Sequence, residues 1–455
     1  MNNEKAACSI QHLPCEVLCK IFDYLDIRDV KKCSLVCQRW KETIFSDFYI
    51  KRFKFNFAIS ELSYKTIRVL EQSDRLYCNL DISNPSNSLM VDSARIFNVI
   101  YSIISYPKLE QLVTLKITIE GKPNNTVRMI TDAIPRMKVL RELYVHNMIG
   151  WFSNSDTNVN TIKIRSNSIQ LLEVHLVGPM VIKAPQLASL RILMHLRETI
   201  TKEMQRRIEN LLYSSRLPNL QSLEIHKANV FANINNVQHA LSFLSKLETL
   251  EKLDLKYVNL SGYLFKAICE NCTNLMELSI DSLYIMDTST LRYLSNLAKL
   301  RHIQFKNIKC LERVSFGSVV LPNLESLGIG CFPMLYDTLE AFKSATKITV
   351  CGIGTSTGFI AALAAKMPKL KHVELEKFSA STIQSLNRLP NVELLTVAFD
   401  ITMLKQVQSI VTTIKEIRCL KGGLPSFMDA KYLQTHFPKL QLITAGKNDK
   451  LRIKN

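Results

Sequence analysis

From Leu112 to the C-terminal region, apolar and polar positions follow one short pattern, L-x-x-L-x-L, that keeps returning. It reads LVTLKI, LRELYV, LASLRI, LQSLEI, LEKLDL, LMELSI, LRHIQF, LESLGI, LKHVEL and VELLTV, with degenerate copies LLEVHL, ATKITV, IKEIRC and LQLITA. Such alternation predicts a short half-buried strand, because successive side chains point to opposite faces. With the second apolar residue as marker, the strands centre on Leu115, Leu143, Val174, Leu190, Leu223, Leu253, Leu278, Ile303, Leu327, Ile348, Val373, Leu395, Ile417 and Ile443. Between them, Ser261–Asn271, Ser289–Leu297, Ser356–Met367, Ser381–Leu389 and Thr402–Ile414 carry apolar residues at three- and four-residue steps, which predicts helices. Residues 160–195 differ: their apolar runs lie too close together for a helix, so the chain there is expected to return by strand or loop. Gly150–Val159 reads as a surface excursion.

The marker gaps from Leu253 to Ile417 run 25, 25, 24, 21, 25, 22 and 22. That is the period of a leucine-rich repeat, one strand and one return segment per turn. A single repeat cannot bury its own apolar edge, so neighbours must stack into a continuous core. The expected fold class is α/β, with residues 106–446 forming a curved solenoid of parallel concave β-sheet and mostly helical convex side. Residues 51–105 form a transition into it. There, Lys51–Phe57 alternates like an edge strand, Leu80-x-Ile82 suggests another strand, and Asp92–Ser105 has helical spacing. Residues 447–455 read as a basic tail.

Ahead of the repeats, the stretch from Leu13 to Trp40 has a different rhythm. Val17, Leu18, Ile21, Phe22 and Leu25 make a stripe at helical spacing. Pro14 suits the first helical position, Glu16 the positive helix end, and Asp26 a second N-cap. Val36, Trp40 and Ile44 step along a third helix. The apolar residues of so small a unit cover more than one helix face, and the leftover surface points to a partner.

Composition narrows the picture. Apolar residues at 47% suffice for a large core. No apolar run approaches the ~18 residues of a membrane span, and the N-terminus lacks a basic-then-apolar signal, so a cytoplasmic or nuclear location and no membrane partner are expected. The twelve cysteines then read as reduced, packed thiols. Cys269-x-x-Cys272 has no second pair at metal spacing, so no zinc is expected there. The net charge of +18 raises nucleic acid as a partner. The outward strand positions, however, mix Lys116, Arg191, Lys252 and Lys256 with Glu142, Glu173, Glu224 and Asp254. The positive excess therefore falls on the other surfaces, and a nucleic-acid cradle is not expected. His146, His175, His226, His302 and His372 also point outward but on different strands spread along the arc, so they suggest substrate contacts and no metal. Gly352-x-Gly354 lacks a third glycine at dinucleotide-binding spacing. No nucleophile elbow or framed carboxylate pair appears either, so neither catalysis nor a cofactor is expected.

Leu13-Pro14, Glu16, Leu18, Ile21-Phe22, Tyr24-Leu25, Asp29-Val30, Ser34, Val36-Cys37 and Trp40 resemble the F-box motif along its whole length, over residues 9–50. Tyr49 stands where a second tryptophan is common. Together with the cysteine-containing repeat ICENCTNLMELSI, this resembles the F-box family with leucine-rich repeats. The resemblance implies a non-catalytic substrate-recognition subunit of a Skp–cullin–F-box ubiquitin ligase. Leu13, Pro14, Val17, Leu18, Ile21, Phe22, Leu25, Val36, Cys37 and Trp40 would then serve the Skp-type adaptor and, through it, a cullin. A protein substrate would lie on the concave face, against Tyr144, His146, His175, Arg191, Glu224, His226, Asp254 and Lys256. Two other roles stay open: an adaptor-bound scaffold outside ubiquitin transfer, and a receptor assisted by a small molecule. The outward positions Ser326, Gly328 and Gly330 are small enough to leave a hollow for the latter.

Overall fold

The computed structural model describes residues 10–58, 78–83, 110–119, 132–147, 162–175, 180–194, 202–227, 237–330, 332–351, 357–377, 380–421, 424–445 and 449–453. The chain forms two compact units, residues 1–187 and 188–455.

The first unit opens with four short helices, α1 (Cys15–Phe22), α2 (Ile27–Cys33), α3 (Gln38–Ile44) and α4 (Asp47–Ile50). Asp26 caps α2 by accepting the N–H groups of Arg28 and Asp29, both at 2.8 Å. Pro14 takes the N-cap position of α1, one residue before the first helical one. The stripe on α1 is two half-stripes. Leu18, Cys19 and Phe22 turn inward and join Val30, Ile44 and Tyr49 in a small core. Phe22 meets Trp40 and Tyr49 edge-on, at centroid distances of 5.3 and 6.0 Å. Val17 and Leu25 stay on the outside. Trp40 lies on α3 as expected, while Val36 precedes that helix in a turn.

Strands follow: β1 (Lys54–Ala58), β2 (Asn79–Ser83), β3 (Thr114–Ile119), β4 (Glu142–Asn147), β5 (Ile162–Arg165), β6 (Leu171–His175) and β7 (Met180–Lys183). β1, β2, β3, β4 and β6 pair in parallel in that order, while β5 and β7 pair separately with each other. The return between β4 and β6, and again between β6 and residue 187, is thus made by strand, as the crowded apolar runs suggested. The register places Leu80, Leu115, Leu143 and Leu172 in one buried row. Leu172, not Val174, is therefore the marker of its repeat. LLEVHL offers apolar residues two apart, so its pattern fits either register, and Val174 is buried one step on beside Val145. The helix expected at 92–105 and the excursion at 150–159 lie outside the described residues.

The second unit carries β8 (Ser189–Leu193), β9 (Ser222–His226), β10 (Lys252–Ser261), β11 (Glu277–Tyr284), β12 (His302–Phe305), β13 (Ile308–Lys309), β14 (Ser326–Ile329), β15 (Lys347–Val350), β16 (His372–Leu375), β17 (Leu394–Val397), β18 (Glu416–Cys419), β19 (Leu442–Ala445) and β20 (Asp449–Arg452). They form a parallel ladder in chain order, with β13 beside the end of β11. β20, from the stretch read as a tail, folds back antiparallel on β19. All eleven expected markers from Leu190 to Ile443 share one register and are buried. Asparagines add a side-chain rung between repeats. Asn274, Asn323 and Asn391 donate to the carbonyls of Glu248, Ala298 and Pro368, at 2.7, 2.8 and 3.0 Å. Behind the sheet, Phe265, Phe305, Phe316 and Phe342 follow one another with centroids 4.9–6.3 Å apart, a buried aromatic line across successive repeats.

Return segments of the second unit include α5 (Lys202–Ser214), α6 (Val237–Leu244), α7 (Gly262–Asn271), α8 (Thr357–Lys366), α9 (Ala380–Gln384) and α10 (Phe427–His436). Three expected helices are tighter in whole or in part, the one expected at 381–389 passing from α9 into a 3₁₀ turn over Ser385–Arg388. Thr288–Asn296 is a 3₁₀ helix, and the helix expected at 402–414 is a 3₁₀ segment ending at Gln406. Repeats of this length leave few residues to cross back. A 3₁₀ helix rises about 2.0 Å per residue against 1.5 Å for an α-helix, so it covers that span in fewer residues.

Candidate functional site

On the four-helix module, the residues expected to serve an adaptor divide by burial. Leu18 and Phe22, at 0% and 1% exposure, hold the module together and present no surface. Leu13 and Trp40 are partly buried against the same core. Pro14, Val17, Leu25 and Val36 are exposed, and Ile21 and Cys37 are half-buried. Sequence reading missed the most exposed apolar side chains of the module, Tyr24 at 91% and Leu35 at 85%. A helical stripe gives no sign of them, because both sit in the turns that end α1 and α2. Ile27 and Phe48 are exposed as well. Apolar surface of this kind on a small module favours burial against another protein.

The sheet's solvent face in the first unit carries Asp81, Lys116, Tyr144 and Glu173 in one register row, with Thr118, His146 and then His175 in the next. Lys54 pairs with Asp81 at 2.7 Å, and Lys116 lies 3.9 Å from the same carboxylate. Tyr144 donates its hydroxyl to Glu142 at 3.2 Å, which braces the ring outside the core. The histidines are not spread apart, as their sequence separation suggested. His146 and His175 stack with ring centroids 4.0 Å apart, and His146 Nε2 meets Glu173 Oε1 at 2.8 Å. Parallel pairing of β4 with β6 places residues 29 apart (175 against 146) side by side. Burial holds His146 below its ordinary pKa against the raising effect of Glu173, which favours a neutral ring at pH 7.

In the second unit, the remaining expected residues form one ionic network. Glu224 receives His226 at 2.6 Å, Lys256 at 3.2 Å and Arg191 at 3.4 Å, while Lys256 also reaches Asp254 at 2.9 Å. The His226 hydrogen bond and the Lys256 charge push Glu224 down to about 2, against the opposing effect of burial. Burial would lower Lys256, but Asp254 and Glu224 hold it above its ordinary value. Lys306 extends the row toward Asp281 at 3.2 Å, and Asp281 accepts the N–H of Tyr257, whose φ is 55°. That left-handed residue lies where β10 and β11 shift register. Further along, a hollow of about 400 Å³ opens over Ser279, Gln304, Ser326 and Gly328. Gly328 is glycine of necessity, since a Cβ there would lie 2.6 Å from Gln304 Cγ.

Cys269 and Cys272 are fully buried, and burial raises both thiols, Cys272 to about 12. Both are therefore protonated core groups. Among the described residues, no helix is long and apolar enough to cross a membrane.

A family profile described as F-box-like matches residues 10–55. No curated protein matches the chain in sequence. Solved structures similar to it include a complex of TLR13 with ssRNA13, at 14% identity and TM-score 0.40, covering 81% of this chain and 55% of that one. A complex of Rad7 and Elc1 in yeast matches at 18% identity and TM-score 0.38, over 85% and 88% of the two chains. An internalin, inlF, of Listeria monocytogenes matches at 14% identity and TM-score 0.26, over 75% and 82%. The chain thus carries an F-box-like domain at residues 10–55, followed by parallel ladders whose strands recur every 21 to 25 residues from Leu253 to Ile417, a leucine-rich-repeat architecture.

Proposed function

We propose that the chain is the substrate-recognition subunit of a Skp–cullin–F-box ubiquitin ligase, working in the cytoplasm or nucleus. The observation that carries this reading is the exposed apolar surface of the F-box-like domain, with Tyr24 and Leu35 at its most solvent-exposed points. A Skp-type adaptor would cover that surface and bring a cullin with it, while the sheet face of the repeats holds a protein substrate. The chain itself would break and form no bond. Its contribution is proximity: a substrate lysine held near a charged conjugating enzyme reacts at a high effective concentration. On this reading, Tyr144 in the first unit and Arg191 in the second are the leading substrate anchors, since aromatic and arginine side chains dominate binding hot spots.

The test uses Leu35→Asp with Val36→Asp, which adds charge to the module's outer surface without touching its core. The variant is expected to keep the wild-type melting temperature and to lose adaptor and cullin on affinity purification. Adaptor recovered at unchanged yield would refute the docking assignment. The hollow beside Gln304 favours a second reading, in which a polar small molecule fills it under the substrate. Its volume falls in the range of ligand pockets.

A further inference from the structure

We propose that the sheet face of the first unit binds one divalent transition-metal ion, of the zinc class, through His146, Glu173 and His175. One nitrogen from each imidazole and one oxygen of the carboxylate lie within 4.8 Å of one another. The three come from two adjacent parallel strands, so the pleat and register that build the repeat also hold these donors on one side. Two imidazoles and a carboxylate form a donor set that suits zinc and its neighbours, and three protein ligands leave a further position for water or a partner's side chain.

Geometry favours the ion over a casual cluster. Around an ion with bonds near 2.0–2.2 Å, tetrahedral donors lie about 3.4 Å apart, so the group needs shifts on the order of an ångström, within reach of rotamer adjustment. The His146 and Glu173 side chains are 14% and 11% exposed, sheltered enough to limit competition from solvent. In the second unit Glu224, His226 and Asp254 also converge, and there the Lys256 ammonium sits against both carboxylates.

The experiment uses the full chain, stripped with a chelator and titrated with zinc chloride by calorimetry, then loaded with cobalt(II) for absorption spectra. The expected result is one equivalent bound at micromolar free zinc, with a cobalt spectrum that lacks thiolate charge-transfer bands. His146→Gln and His175→Gln should each reduce uptake from one equivalent to none, while the metal-free melting temperature stays at the wild-type value. Should His146→Gln fail to fold, His175→Gln decides alone. Absence of saturable uptake, uptake retained in the folded histidine variants, or a thiolate band from the cysteines would each overturn the assignment. None of these outcomes bears on adaptor docking, which is read separately by co-purification.

Discussion

Phe22→Ala tests whether the F-box-like domain stands on the core described here. The ring is 1% exposed and lies against Leu18, Trp40 and Tyr49, with two edge-on aromatic contacts. Truncating such a phenylalanine removes its transfer free energy and leaves a cavity, at a cost of ~3–5 kcal/mol. Against this stands the stability of a module of some 45 residues, on the order of 2–7 kcal/mol at ~0.05–0.15 kcal/mol per residue. The loss is therefore comparable to the whole, and the module should be largely unfolded at 37 °C. The repeats should remain folded, because their buried rows of Leu115, Leu143 and Leu172 do not use Phe22. Hydrogen exchange read by mass spectrometry separates the two. Amides of residues 15–50 are expected to lose protection, those of residues 142–147 to keep it, and adaptor recovery to fall with the former. Tyr24→Ala, at a side chain 91% exposed, is the control and should change stability by less than about 0.5 kcal/mol. Wild-type protection across residues 15–22 in the Phe22→Ala protein would refute the assignment of this core.

Gly330→Ala should destabilise the second unit by at least ~2 kcal/mol, since a Cβ there would lie 1.7 Å from the Lys306 carbonyl oxygen and backbone must move. Gly317→Ala, whose Cβ would meet nothing closer than 3.5 Å, should melt as wild type, and equal melting of both variants would refute the steric account. Burial, aided by Lys347, lowers His372 to about 4, so the unfolded chain binds more protons than the native one between that value and 6.5. Stability is accordingly full above pH 6.5 and falls as pH drops toward 4. His372→Gln, which can still bond Thr396, should flatten that part of the melting-temperature profile, and an unchanged slope would contradict the assignment.

Much of this was legible in sequence, for a physical reason. A repeat writes the same burial demand many times, so an ambiguous copy is fixed by its neighbours. Leu253 to Ile417 obey one register throughout. The exception, LLEVHL, sits where strand returns replace helices and neighbouring copies lie at uneven spacing. Helix type was less legible, because apolar steps of three and four suit a 3₁₀ turn as well as a short α-helix. Burial within α1 was also ambiguous: a stripe of five apolar residues does not say which half faces Trp40. The exposed Leu35 lies in a turn with no periodicity at all.

The sheet face shows what sequence distance conceals. A parallel ladder turns a separation of one repeat into direct contact, so residues that look scattered become neighbours in fixed rows. Counting outward charges suggested a mixed face; their positions show a paired one, with Lys54 against Asp81, Lys252 against Glu277 at 2.7 Å, and Lys347 against Glu374 at 2.5 Å. Paired charges offer a partner little net field, and much of the formal charge of +18 must then be carried by other surfaces. Recognition on this face would accordingly depend on groups that can exchange their present neighbours for a partner's. Arg191 fits that requirement: its side chain is 43% exposed and its Glu224 contact is, at 3.4 Å, the longest in its network. The same ladder explains the histidines. Only adjacent strands can bring two of them together, and in the first unit that adjacency joins His146 and His175 beside the Glu173 carboxylate.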